Sequence, residues 1–432
     1  MERPDAGIIL SEGPGEVRGV RLIDGLCAAF AAARIGDLPL GTPCRGVVRA
    51  VLPDVGAFID IGIGAEAFLG GTGAAALPIG TRVLVQVSRA ASGDKPMGVT
   101  RSLEWAGTRL SLSLLEGRTG EISISRHLPE TERTRLRMLL PEMMPVERLA
   151  AGYSVTALPA ASGHYRKALA QDLAALLAQA DSINRDGPPG PANGAASPLL
   201  RVLSALAVQK TEPILAPLTL APELRAAGYS AETAPALVDP FARLEVEAEL
   251  AEACAAEVEM PGGARLSIEP TRALVAIDID KGGDSRAPEA LVTACLVEIA
   301  RHLRLRGLGG LIVIDPPRLP TAALNRALDV FKARLARDPV SSDLLGATRG
   351  GLIELTRPHR GPPLRDLLLG PEGHALAALR RLVYNGSDGQ PVPVSAAALA
   401  WLETPQGQAA RAAAAARLGQ APRFSLEERG SR

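Results

Sequence analysis

Residues 273–286 read ALVAIDIDKGGDSR, and residues 309–318 read GGLIVIDPPR. The two stretches share one grammar. In each, an apolar run ends on an aspartate, Asp278 in the first and Asp315 in the second, and a turn follows. The second turn is Pro316-Pro317, and proline, which donates no ladder hydrogen bond, ends a strand. Residues 311–314 are apolar throughout, the pattern of a strand buried on both faces. Ligands of open α/β sheets lie outside the carboxyl ends of the strands. If these two strands are neighbours, their terminal carboxylates converge. Two carboxylates a few ångström apart repel unless a cation or a proton lies between them. A hard divalent ion with oxygen ligands, Mg²⁺ or Mn²⁺, suits that place. Such an ion keeps several waters, which can be deprotonated and aimed at a phosphodiester. Spacing alone leaves a plainer alternative open, in which each Asp caps a turn or the helix that follows.

The surroundings read as α/β over 262–375. Residues 264–268 and 274–277 flank a turn and predict a hairpin. Residues 289–306 predict a helix, with Val292, Cys295, Leu296, Ile299 and Leu303 at i, i+3, i+4, i+7 and i+11. It stops at Gly307, and Arg301, Arg304 and Arg306 complement its dipole. A second helix is expected over 321–337. Upstream, residues 41–71 read GTPCRGVVRAVLPDVGAFIDIGIGAEAFLGG. Short β-branched segments at 47–48, 51–52, 58–59, 68–69 and 84–87 alternate with Gly turns and suggest a five-stranded OB-fold over 37–101. Residues 5–36 read as short strands and turns followed by a small-residue stretch. Residues 102–182 mix a strand at 109–115 with helices at 130–140 and 167–180. The segment RDGPPGPANGAASP (185–198) is the clearest loop, and a domain boundary or exposed excursion is expected there. Helical periodicity returns over 199–255 and ends in the acidic, Ala-rich run 244–259. After a Gly/Pro segment at 385–394, the tail predicts helices at 395–402 and 409–418 and a last strand at 423–427.

Composition bounds the function. The chain has 432 residues, enough for two to four domains, and formal net charge +0. A globally basic nucleic-acid binder is excluded, but a local basic groove is not. Cations are 42 arginines and only five lysines. Arginine suits bidentate phosphate contact, although abundant Arg with abundant Ala also follows from a GC-rich genome. Aromatics are 3% of residues, so those in strand-and-turn contexts stand out. The four cysteines, Cys27, Cys44, Cys254 and Cys295, form no CxxC pair. That argues against a zinc knuckle or disulfide framework and fits a reducing cytosol. No signal peptide or membrane span is expected. The five histidines have no metal spacing, no serine sits on a strand-turn-helix elbow, and 307–310 is a helix stop rather than a phosphate loop.

From its first residues to about position 375 the chain resembles the ribonuclease E/G family of bacterial endoribonucleases. The resemblance is carried by GVVRAVLPDVGAFIDIGIGAEAFL, GGARLSIEPTRALVAIDID, EIARHLRLRGLGGLIVID and GLIELTR (351–357). It implies an OB-fold barrel inserted in an RNase H-like subdomain (1–36 and 199–253), followed by a DNase I-like mixed α/β catalytic subdomain (254–384). A degenerate 5′-sensor-like region (102–198) and a shortened C-terminal small domain (385–432) complete the division. The resemblance makes Asp278 and Asp315 the pair that chelates one catalytic Mg²⁺. An Asn of the family, two residues after the first Asp, is Asp280 here, which adds a carboxylate for the ion. Lys281 and Arg286 are candidates to touch the RNA backbone.

In the barrel, Phe58 and Phe68 match the family's base-stacking aromatics and Lys95 its basic RNA contact, as single-stranded RNA binding requires. Read without the resemblance, both phenylalanines are core residues of a barrel with few aromatics. The Arg-Thr pair that senses a 5′-monophosphate falls on Thr156 and Ala157, and a second basic contact falls on Ser341. Without a cationic fork an oxyanion loses most of its affinity, so 5′-phosphate sensing is expected to be weak unless Arg166 and Lys167 substitute. The family's CPxC link is missing, so no structural zinc and no zinc-linked dimer are expected, though another homo-oligomer is open. The expected function is Mg²⁺-dependent cleavage of single-stranded RNA, in RNA processing or decay in the cytoplasm, with no membrane involved. The rival is a catalytically weak RNA-binding relative. The acid pair speaks against the rival, because two buried unpaired carboxylates are costly without a cation.

Overall fold

The computed structural model describes residues 2–63, 66–89, 96–126, 128–193, 197–235, 238–359, 361–386 and 390–427. The chain forms two compact units, one of Met1–Asp37 with Ala196–Arg432 and one of Leu38–Ala195. Their second junction falls inside the Pro/Gly segment 185–198.

The inserted unit holds a closed five-strand, OB-like barrel of Pro43–Leu52, Gly56–Asp60, Glu66–Gly70, Arg82–Arg89 and Gly98–Thr100. Pro43–Leu52 pairs antiparallel with Gly56–Asp60 on one side and with Arg82–Arg89 on the other, which closes it. The expected segments 47–48 and 51–52 are one strand. The register shifts between Val48 and Ala50, a bulge that bends the strand without ending it. Val48, Ala57, Ile59, Ala67, Leu69, Val85 and Val87 fill the interior. A second sheet runs Ile122–Ile124, Tyr153–Ala157, Leu110–Leu114, Leu103–Ala106. Helices Glu130–Leu139 and Arg166–Asp181 cover one of its faces through Leu136, Leu169 and Leu173. The Pro/Gly segment is not a free excursion. Gly190–Pro191 pairs antiparallel with Arg45 and Cys44 of the barrel.

The other unit begins with three antiparallel strands, Gly7–Gly13, Glu16–Ile23 and Leu26–Arg34. Ile214–Pro217 joins parallel to the first, and Glu232–Ala234 lies parallel beyond it. The small-residue stretch is thus a strand. Ala29, Ala31 and Ala33 are buried against Leu199, Val202 and Leu203, and tertiary pairing overrides the helix preference of alanine. The acidic run 244–259 is only partly helical. Helix Val246–Glu252 ends, and Glu257–Glu259 leaves it to become the edge of the next sheet.

That next sheet has six strands in the order Glu257–Glu259, Arg265–Pro270, Val275–Asp280, Gly310–Asp315, Ile353–Arg357, Asp343–Ala347. The predicted hairpin is present, and helix Pro288–Leu305 carries the chain over to a parallel partner strand. This helix and Thr321–Leu335 pack Leu296, Ile299, Leu303 and Phe331 on Ile277, Ile312, Ile314 and Leu355. The opposite face is open. Leu311 is 38% exposed, so the 311–314 strand is buried on one face and not on both. Its alternation is hidden because the outward residues are also apolar. The tail packs helices Pro371–Asn385, Ala396–Leu402 and Pro405–Leu418 around a parallel pair, Val392–Val394 and Phe424–Leu426. Glu16, with a side chain 1% exposed, ties the ends of this unit together through ion pairs with Arg34 and Arg380.

Helix Pro288–Leu305 carries a buried polar triad. Arg306 Nε donates to His302 Nδ1 (3.0 Å), and His302 Nε2 lies 3.2 Å from Glu298 Oε1 and from Arg301 Nη2. Burial opposes the Glu298 charge, yet bonds from His302 and Arg301 prevail and draw it down to about 2. Burial pushes the His302 ring below its ordinary value. Below pH about 6.5 the unfolded chain therefore takes up a proton at His302 that the folded chain refuses, and stability falls. A second loss follows below pH about 4.3, where unfolded Glu298 protonates first. Denaturant midpoints measured from pH 7.5 downward should fall in these two windows. His302→Gln should flatten the first and Glu298→Gln the second; unchanged slopes in both variants would refute the assignment.

Candidate active site

Asp278 and Asp315 are register partners on neighbouring parallel strands. Neighbouring strands lie about 4.8 Å apart and paired positions face the same side, so the two carboxylates stand together at the strand ends. Both are exposed on the open face. Among the described residues neither has a hydrogen-bond or ion-pair partner. The expectation that the pair is buried is therefore corrected. Water solvates these side chains, so burial cost does not by itself demand a cation. What remains is like charge set directly opposite like charge, which is unfavourable in a ladder.

Asp280 faces the same side two residues on, but it is engaged elsewhere. Its carboxylate accepts the Gly282 amide (3.0 Å) and an Arg265 Nη2 bond (2.9 Å), and Arg265 is its register partner. Those two interactions hold its carboxyl below the usual range. Among the described residues no three His, Cys, Asp or Glu side chains are placed to share an ion. Ser267, the other register neighbour of Asp278, puts a hydroxyl-bearing residue beside the pair. Sequence reasoning passed over it, although the hairpin register would have found it.

The Gly-rich turn after Asp280 is built on Asp284, which is 2% exposed. Its Oδ1 accepts the Arg286 amide (2.8 Å), and the Arg286 guanidinium clasps both carboxylate oxygens and donates to the Pro261 carbonyl (3.1 Å). Arg286, a candidate RNA-backbone contact, clasps the turn. Lys281 is exposed at its start. A Cβ at Gly262 would lie 2.7 Å from Asp284 Oδ2, which requires glycine there.

In the barrel, Phe58 and Phe68 are register partners with ring centroids 5.5 Å apart at 61°. Their strand neighbours Ala57, Ile59, Ala67 and Leu69 line the core. The phenylalanines therefore lie on the outside, half-buried, and the core alternative is excluded. Lys95 lies outside the described residues. Of the sensor positions, Ala157 is fully buried, Thr156 is half-buried and Ser341 is exposed. Arg166, a possible substitute, is bound to Glu142 (2.6 Å), and Lys167 is exposed.

The architecture is that of a mixed α/β multidomain protein with an OB-like barrel and a strand-end acid pair. Residues 111–360 match the model of the Ribonuclease E/G family, more than half of the chain, and the chain belongs to that family. It is 29% identical to Ribonuclease E of Escherichia coli (strain K12) over 312 residues, 66% of this chain and 28% of the relative. With Ribonuclease E of Nostoc sp. it shares 28% over 388 residues, 80% of this chain and 54% of the relative. The chloroplastic Ribonuclease E/G-like protein of Arabidopsis thaliana is 26% identical over 327 residues, 68% of this chain and 32% of the relative. The matched part thus spans between 28% and 54% of these relatives' own length. Among the described residues no helix is long and apolar enough to cross a membrane.

The two aspartates of the turn should behave differently. Asp284→Ala strands the Arg286 clasp and should clearly lower the urea denaturation midpoint. Asp280→Asn breaks an exposed pair and should lower it little. Equal costs would contradict the division of roles.

Proposed function

We propose that this protein is a Mg²⁺-dependent endoribonuclease that cleaves single-stranded RNA and leaves 5′-phosphate and 3′-hydroxyl ends. The observation that carries the reading is the in-register pair Asp278 and Asp315 at the ends of two adjacent parallel strands. The donor set suits Mg²⁺, with Mn²⁺ an alternative. It offers two unpartnered, exposed carboxylates and no closed cage, and Mg²⁺ is held by one or two carboxylates while keeping waters. Asp278 and Asp315 would hold it, and when bound it supplies a water of lowered pKa and positive charge for the scissile phosphate. Asp280 is neutralised by Arg265, so it restrains the local charge and is not needed as a third ligand. Phe58 and Phe68 offer ring faces and edges to unstacked bases. Lys281 presents its ammonium at the turn beside the acid pair.

The strand order of the N-terminal sheet, a meander extended by two parallel strands, supports an RNase H-like reading of that subdomain. The six-stranded sheet with its two covering helices supports a DNase I-like one. With Thr156, Ala157 and Ser341 at the sensor positions, no guanidinium is supplied there and 5′-phosphate sensing is weak. The task fits RNA processing or decay in the cytoplasm, by a chain whose self-association, if any, is not zinc-linked.

A second reading, an RNA-binding relative with weak catalysis, gains from the exposure of the acid pair, which removes the burial penalty that an ion would relieve. Cleavage of a labelled AU-rich single-stranded RNA decides between them. Cutting should require Mg²⁺ and should fall at least about a hundredfold in Asp278→Asn and in Asp315→Asn. RNA binding without Mg²⁺-dependent cutting would establish the second reading. Rates on 5′-monophosphate and 5′-hydroxyl substrates should be nearly equal, and a strong monophosphate preference would overturn the sensor assignment.

A further inference from the structure

We propose that the barrel carries a second, separate phosphate-binding pocket, formed by Arg45, Arg82 and Arg185 where the Pro/Gly segment 185–191 folds back on the barrel wall. The proposal rests on the reading of the barrel as an RNA-binding surface and adds to it a site for a backbone phosphate group. The pocket has a volume of about 170 Å³, and its lining includes the three arginines, Glu116, Gly187 and Pro189. Three guanidiniums face one carboxylate, so the lining is net positive.

The arginines are held in place before any ligand arrives. Arg45 donates from Nε to the Pro188 carbonyl and from Nη1 to the Asn184 carbonyl, both at 2.9 Å. Arg82 Nη1 reaches the Gly187 carbonyl at 3.4 Å. Arg185 is paired with Glu116 through Nη1. Each of these side chains spends only part of its donors on the protein. An arginine carries five N–H donors in a planar fork suited to phosphate oxygens. Anchoring by backbone carbonyls removes much of the entropy that a long side chain loses when it binds. Gly187, at φ +123°, adopts a backbone conformation that glycine tolerates, and it brings its carbonyl to Arg82.

The pocket shares a strand with the register partner of Phe58. Phe58 is in register with Ala50, and Val47 and Arg45 lie farther back on that same strand, next to Arg82 and Leu84 of the neighbouring strand. At about 3.3 Å per residue, Arg45 is roughly 16 Å from Ala50. A strand with bases against Phe58 and Phe68 can therefore place the phosphate of a nearby nucleotide among the arginines. The chemistry recognised is a phosphate group of RNA, either an internal diester or a 5′-terminal monoester. The site is distinct from Thr156, Ala157 and Ser341.

The test is binding of fluorescein-labelled single-stranded oligoribonucleotides to the full chain in EDTA, read by anisotropy over a series of salt concentrations. One oligonucleotide carries a 5′-monophosphate and one a 5′-hydroxyl. Arg82→Gln should raise Kd roughly five- to tenfold and lower the slope of log Kd against log salt by about one. Arg185→Gln should act in the same direction. Glu116→Gln frees Arg185 and should tighten binding, a gain that misfolding cannot mimic. Equal losses on both oligonucleotides assign the pocket to an internal diester, and a loss confined to the 5′-monophosphate assigns it to the terminus. Unchanged Kd and slope in both arginine variants and in Glu116→Gln, with binding weakened by Phe58→Ala, would overturn the pocket and leave the barrel reading standing. No binding by the unaltered chain would overturn both.

Discussion

The parallel ladder between Val275–Asp280 and Gly310–Asp315 is the constraint on which the candidate site depends. Its register is set from below. Ile277 lies beside Ile314 and Val275 beside Ile312, and all four are buried against helix residues. A slip of one residue in either strand would turn its isoleucines to water and its aspartate to the core. The hydrophobic face thus fixes the polar one. The carboxylates are brought together by what happens on the side they do not occupy.

Charge on the open face is managed locally. Asp280 adds a third acid close to two others, and Arg265, directly across the ladder, takes it up. Asp284 adds a fourth, and it is buried beneath the turn and clasped by Arg286. Two acids of the motif are therefore spent on architecture and two are left free. This division separates residues that hold the turn from residues available to a ligand, although all four lie within one short motif and its partner strand.

Much of this was legible in the sequence. The hairpin, the amphipathic helix and the second strand of the α/β segment follow from periodicity and from Gly and Pro punctuation, and their order implies a crossover. The barrel is legible for the same reason. What was not legible depends on a partner. The Ala-rich stretch 28–34 carries no strand signal of its own and becomes one by pairing with Glu16–Ile23. Residues 257–259 leave a helical pattern because Arg265–Pro270 offers them a ladder. The exposure of Asp278 and Asp315 was hidden because Leu311 and Val313 are apolar on the outward side. Arg286 has the composition of a ligand contact, and its clasp on Asp284 is visible only in three dimensions.

Glu16 meets Arg380 across 364 positions of chain. The strand Gly7–Gly13 likewise waits for Ile214–Pro217. The sheet that opens this unit is thus completed by segments about two hundred positions downstream. The barrel and its companion sheet are made of contiguous sequence instead. One unit is closed by distant pairing and the other by near neighbours, so a change at Ile214–Pro217 reaches the layer of Gly7–Gly13 while leaving the barrel's own ladder intact.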